Sequence, residues 1–131
     1  MKYEVEADRQ ALALALLLGG AGVTHLARPA AYDAIVPRSL PGSPRMWTYV
    51  SGVAELAVAA AVASPRTRRA GGYAAAALFT AVFPANLQMA ADWRHRSRAQ
   101  RAVAYGRLPL QAPLVWWALR VAGHPLRRHG E

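Results

Sequence analysis

The sequence predicts an all-α fold, an integral membrane bundle of four transmembrane helices with residues 1–131 forming one domain. Two observations carry this. Of the 131 residues 54% are hydrophobic and only 18% charged, far more apolar sequence than a small soluble core can bury. The charges that do occur sit at the ends of four apolar segments. The third of these, Ala70 to Ala91, runs 22 residues without Asp, Glu, Lys, Arg or His. It also lacks the polar stripe of period 3.6 that a soluble surface helix needs.

The first span is expected at about residues 10–27, where 18 residues from Gln10 to Ala27 carry no acid, Lys or Arg. At ~1.5 Å per residue that length is about the minimum that crosses a ~30 Å hydrocarbon core. Glu4, Glu6 and Asp8 spoil the basic leader of a signal peptide, so cleavage is not expected. Arg28 to Arg45 contains four prolines and ends in Gly42-Ser43-Pro44, which reads as a loop. The second span, 46–64, places Trp47 and Tyr49 where an interfacial aromatic belt would lie and carries one charge, Glu55. The basic turn Pro65-Arg66-Thr67-Arg68-Arg69 is too short to link parallel helices, so the second and third spans form an antiparallel hairpin. The third span covers 70–92 and contains Pro84, which predicts a kink. A polar, basic stretch from Asp92 to Arg107 precedes the fourth span at 108–123, which holds Trp116 and Trp117, and a basic tail follows. Runs of Ala and Gly at 57–63 and 70–77 favour close helix packing.

The formal net charge is +9, and 15 of the 16 basic residues are Arg. Their placement at the ends of apolar segments suits anionic lipid headgroups rather than nucleic acid. The chain has no cysteine, which excludes disulfides, thiolate metal sites and thiol nucleophiles.

Four antiparallel spans put the first–second and third–fourth connections on one face of the membrane, the loop face. Counting ~1.5 Å per residue from the expected helix ends places His25 ~4 Å deep, Gln88 and Gln111 ~6 Å, Asn86 ~9 Å and Glu55 ~14 Å, all in the half nearer that face. Glu55 is the least expected of these, since a mid-membrane carboxylate costs several kcal/mol unless it is paired, inward-facing or neutralised. The spacing of Ser51 and Glu55, and of Arg107 and Gln111, is i, i+4, which sets each pair on one helix face. Asn86 and Gln88 lie about 200° apart on their helix, so only one can face the interior, and Asn86 is the expected one.

Each residue also has a plainer role. Glu55 can lock helix packing, His25 can serve as a polar helix end, Asn86 and Gln111 can bond between helices, and Trp116 and Trp117 can contact lipid. There is no phosphate loop, HExxH or nucleophile elbow, so the chain carries no catalytic motif of its own. A metal site on His25 and Glu55 would be under-coordinated, and none is expected.

The succession Gly22-Val23-Thr24-His25, Val36-Pro37, Leu40-Pro41, Ser51-Gly52-Val53-Ala54-Glu55, Pro65-Arg66-Thr67-Arg68-Arg69, Phe83-Pro84-Ala85-Asn86 and Arg107-Leu108-Pro109-Leu110-Gln111 resembles the DoxX-like family of small bacterial four-helix membrane proteins. The resemblance covers about residues 12–123. It implies a multi-pass protein of the bacterial inner (cytoplasmic) membrane. Some relatives are tied to membrane redox chemistry, as a small subunit of thiosulfate:quinone oxidoreductase or a membrane anchor for thiol and superoxide enzymes. The family's recurrent polar residues map onto His25, Glu55, Asn86 and Gln111.

Three functions follow as expectations. In the first, His25, Ser51, Glu55, Asn86, Arg107 and Gln111 bind a small lipophilic ligand, quinone-like, and the chain supports an oxidoreductase partner. Glu55 and His25 would then exchange a proton or hydrogen bond with the ligand. The second is a non-catalytic scaffold recruiting a soluble partner or anionic lipid. The third is a small-solute transporter, which would require a homo-oligomer.

Overall fold

A computed structural model describes residues 1–123 of the chain. The basic tail with His124, Arg127, Arg128 and His129 lies outside the described residues. The described chain is all-helical: α1 Lys2–Ala27, α2 Pro29–Asp33, α3 Pro44–Ala63, α4 Arg68–Ala81, α5 Phe83–Asp92 and α6 Arg98–Gly123. Three helical stretches are long and apolar enough to cross a membrane, namely α1, α3 and the α4–α5 rod from Arg68 to Asp92. α6 is equally long, but Arg101, Arg107, Gln111, Arg120 and two internal prolines, Pro109 and Pro113, interrupt its apolar run.

The helix ends follow from local chemistry. α1 begins at Lys2, eight residues before the apolar run, because nothing in Lys2–Arg9 breaks a helix and Gln10 bonds back to Glu6 at 2.9 Å. Gly42 adopts a left-handed φ of 82°, which turns the chain into Ser43. The Ser43 hydroxyl then accepts the Met46 N–H at 3.2 Å, and Pro44 stands in the first turn of α3, where its missing N–H costs nothing. At the other end of α3, carbonyls that no helical N–H can reach are served by side chains. Thr67 bonds the Ala61 carbonyl at 2.7 Å, and Arg68 bonds those of Val62 and Ala63 while also pairing with Asp8 of α1 at 2.7 Å. The break between α4 and α5 falls at Val82, just ahead of Pro84, where the ring cannot sit inside a continuous hydrogen-bond ladder.

α1 packs antiparallel to α3 along most of its length, α3 packs on α4, and α4 on α6, while α1 meets α6 only sparingly. Two glycine contacts bring backbones close. A Cβ at Gly22 would lie 2.8 Å from the Gly52 carbonyl oxygen, and one at Gly72 would lie 2.6 Å from the Ala122 nitrogen. The buried positions of α3 are Thr48, Gly52, Glu55, Ala59 and Val62, alternating steps of four and three as in one seam of a helix bundle. The seam divides the molecule. Ala59 and Val62 join Ala11, Leu14, Leu18, Ala75, Phe79, Ala118 and Val121 in an apolar core at one end. Thr48 and Glu55 belong to the other end, beside a smaller cluster of Met89, Ala90 and Ala104. The outward surface is itself apolar, with Leu16 76% and Leu110 56% exposed.

Candidate functional site

His25 and Glu55 meet. His25 Nδ1 lies 3.1 Å from Glu55 Oε2, with both side chains almost entirely covered. The depth count separates their backbones by ~10 Å, and the side chains close that distance for a geometric reason. Side chains lean toward the N-terminus of their own helix, and in an antiparallel pair those leans converge. His25, on α1, leans away from the loop face, and Glu55, on α3, leans toward it. Gly52 leaves the room, since a Cβ there would come 2.9 Å from that of His25.

The hydrogen-bond arithmetic of the pair is incomplete. Nδ1 also approaches the Ala21 carbonyl oxygen at 2.7 Å, and because a carbonyl only accepts, Nδ1 must carry the proton. That single N–H is taken by Ala21, and Glu55 Oε2 is buried without a hydrogen bond. A buried acceptor left in this state costs about 1–3 kcal/mol and is uncommon in a finished fold. Gln111 Oε1, on α6, is buried and unpartnered as well. Arg107, one helical turn earlier on α6 and half-buried, lies close enough for its charge to be felt at His25.

The polar end is closed by a segment that the sequence marks only as a proline-rich loop. Pro29 starts the one-turn helix α2, and Tyr32 on it stacks on the His25 ring at 3.7 Å between centroids and 21° between planes. The next residue, Asp33, fastens this cap to α3. Its Oδ1 accepts from the Thr48 hydroxyl at 2.7 Å and its Oδ2 from Arg45 Nε at 2.8 Å. The Thr48 bond first, and then the Arg45 guanidinium, hold the Asp33 carboxyl below the usual carboxylate range. Trp47 adds a bond from its indole N–H to the Pro41 carbonyl at 2.6 Å.

Of the two carboxamides on α5, Asn86 is buried at 2% exposure, whereas Gln88 turns outward to bond Asp92 at 3.0 Å. Ser51 is half-buried beside the α3 seam, and among the described residues no hydrogen bond joins it, Asn86 or Gln111 to Glu55. The direct constellation is therefore His25, Glu55 and Tyr32, with Thr48, Asp33 and Arg45 holding the cap. Tyr32, Asp33 and Thr48 escaped the sequence reading. For Thr48 a signal existed, since it lies seven residues before Glu55 on the same helix face. For Tyr32 none did, because its position depends on how the loop folds back. Among the described residues no group of three or more His, Asp or Glu side chains converges as a metal site would need. A surface concavity of about 420 Å³ lies far from this site, at the start of α1 between Met1, Lys2, Val5, Glu6 and Arg9.

In chemical terms the arrangement offers a carboxylate–imidazole pair able to hold or pass a proton, one uncommitted acceptor on each of two helices, and an aromatic cover. A family model described as a domain of unknown function, DUF8561, matches residues 14–122, a stretch that contains all of these residues. No curated protein and no solved structure matches the chain.

Proposed function

The chain belongs to the DUF8561 family, whose description assigns no activity, and from the chemistry of its polar end we propose that it is a four-span integral membrane protein of DoxX-like type that binds the polar head of a small lipophilic molecule, quinone-like, between His25, Glu55 and Gln111. The observation that carries this reading is the His25–Glu55 pair with its unsatisfied Oε2, facing a helix bundle whose outside is apolar. A buried acceptor without a donor is what a ligand hydroxyl would complete. Three apolar spans and the exposed leucines support insertion in a bilayer, with α6 as the fourth span, its Arg120 placed near its end to reach the interface. In a bacterial inner membrane the chain would hand this ligand to, or stabilise, an oxidoreductase partner, since without cysteine it cannot run a thiol relay itself.

The scaffold role rests on the same pair read as a packing lock, and one experiment separates the two. Glu55→Gln keeps the volume and removes the charge. Ligand binding predicts at least a ten-fold weaker affinity for a short-chain quinol, whose hydroxyl donates to Oε2, in detergent, measured by tryptophan quenching, with a melting temperature close to that of the parent. The packing lock predicts the reverse, a large fall in melting temperature with binding unchanged in whatever remains folded.

A further inference from the structure

From Trp93 to Gly123 the described chain carries Arg94, Arg96, Arg98, Arg101, Arg107 and Arg120 and not one acid. Asp92, at the edge of this stretch, is bonded by Gln88. The ion pairs among the described residues take up His25, Arg45 and Arg68 and leave this group without a counterion. The contrast with Arg68 is instructive, since that guanidinium serves two backbone carbonyls and Asp8 together. Arg101 is half-buried at the start of α6, and its Nε is fully covered with no acceptor in reach. Covering a guanidinium N–H without an acceptor is costly, and an anion meeting the remaining N–H groups of this half-exposed side chain would offset that cost.

The surroundings set aromatic and apolar groups beside the arginines. Arg96 lies over the Trp93 ring at 4.5 Å, and Trp93 packs on the small cluster of Met89, Ala90 and Ala104. Leu87 on α5 presents exposed apolar surface, whereas the exposed Val103 and Leu110 lie on the face of α6 turned away from Arg101. We infer that Arg101, with Arg94, Arg96 and Arg98, binds the phosphodiester of an anionic phospholipid at the loop face, the acyl chains lying along α5. A lipid rather than a soluble anion is indicated because cationic and apolar groups adjoin. The inference rests on the membrane reading proposed above but not on the ligand assigned to His25 and Glu55.

The test titrates the purified full chain in neutral detergent with phosphatidylglycerol, phosphatidylcholine or inorganic phosphate, reading retained lipid by native mass spectrometry and melting temperature in parallel. Phosphatidylglycerol should be retained and raise the melting temperature, and the other two should do neither. Each arginine changed to Gln should weaken retention about five-fold, the equivalent of about 1 kcal/mol per charge. Arg101→Gln should weaken it at least that much, and Arg66→Gln, on the opposite turn, should leave it unchanged. Should Arg101→Gln fail to fold, the exposed triple Arg94→Gln, Arg96→Gln, Arg98→Gln decides, because its loss of retention supports the site and its unchanged retention overturns it. Equal retention of phosphatidylcholine would also overturn it, and an equal response to inorganic phosphate would make it a free-anion site and overturn the lipid assignment.

Discussion

The two ends of this bundle are built by opposite rules. At the end near the Pro65 turn, every buried position is filled by Ala, Leu, Val, Phe or Gly, and helices approach until Gly72 meets the backbone of Ala122. At the loop end the same α3 seam changes to Thr48, Gly52 and Glu55, and buried groups are left with incomplete hydrogen bonding. One helix therefore carries both, an apolar packing seam at one end and buried polar groups at the other. The difference separates burial that packs helices together from burial that holds polar groups, with Trp117 Nε1 the one unpartnered polar atom beside the apolar core among the described residues. An apolar seam was available to evolution in the same register and is not used at the loop end.

The largest effect that can break this comparison lies in the apolar end. Leu14 is fully buried in that core, so Leu14→Ala should remove packing that nothing replaces, at a cost of about 2–5 kcal/mol. Ligand affinity in the fraction that stays folded should be unchanged, because Leu14 is three helical turns from His25. Chemical unfolding in mixed micelles measures the first and binding the second. A Leu14→Ala protein that stayed fully stable but bound poorly would reverse the roles assigned to the two ends.

A smaller effect tests the polar end directly. Replacing both members of a buried polar pair with apolar residues of similar shape is often nearly neutral or stabilising, whereas removing one member leaves the other without a partner. The double change His25→Phe with Glu55→Leu should therefore unfold at or above the parent's melting temperature and lose ligand binding altogether. The single change His25→Ala should melt well below it. If the double variant were the less stable of the two, the pair would be a packing lock.

How much of this was readable in the sequence depends on the range of the forces involved. The helices were legible because the apolar runs are long and their ends carry local signals such as Ser43-Pro44 and Pro65. The break in the third rod was legible from Pro84, since a proline acts on its own backbone. The stretch expected as a fourth span was harder to read, because Gln111, Arg107 and two prolines make α6 apolar only in part, and it is not among the three helical stretches apolar enough to cross a membrane. At the site, angular position showed that only one of Asn86 and Gln88 could face inward but not which, and the His25–Glu55 contact did not follow from a depth count. Depth along the axis treats side chains as points, whereas their lean along antiparallel helices spans several ångströms. The Tyr32 cap was beyond reach for another reason. It depends on Asp33 finding Thr48 and Arg45 across a turn containing Pro37 and Pro41, and no periodicity encodes that closure.

That closure supplies the smallest effect. Thr48 is buried at 1% exposure, and its hydroxyl is the first cause of the lowered Asp33 carboxyl. Thr48→Val preserves shape and removes the donor, so the cap should open about five-fold more often, a change of the size of one hydrogen bond. Because Asp33 is held below the usual carboxylate range, its bonds are intact at neutral pH. They should be lost only as the pH falls through that lowered value, since protonation removes the charge that Arg45 and Thr48 hold. The Trp47 indole N–H, bonded to Pro41 within the cap, provides the reporter. Its nuclear magnetic resonance signal should stay fixed from neutral to mildly acidic pH in the parent and shift only below the ordinary carboxylate range. In Thr48→Val the shift should begin at a higher pH, because the largest cause of the lowering is gone while Arg45 remains. A parent signal that moved near neutral pH would point to a group other than Asp33, and the cap would then answer to the chemistry of the pair beneath it.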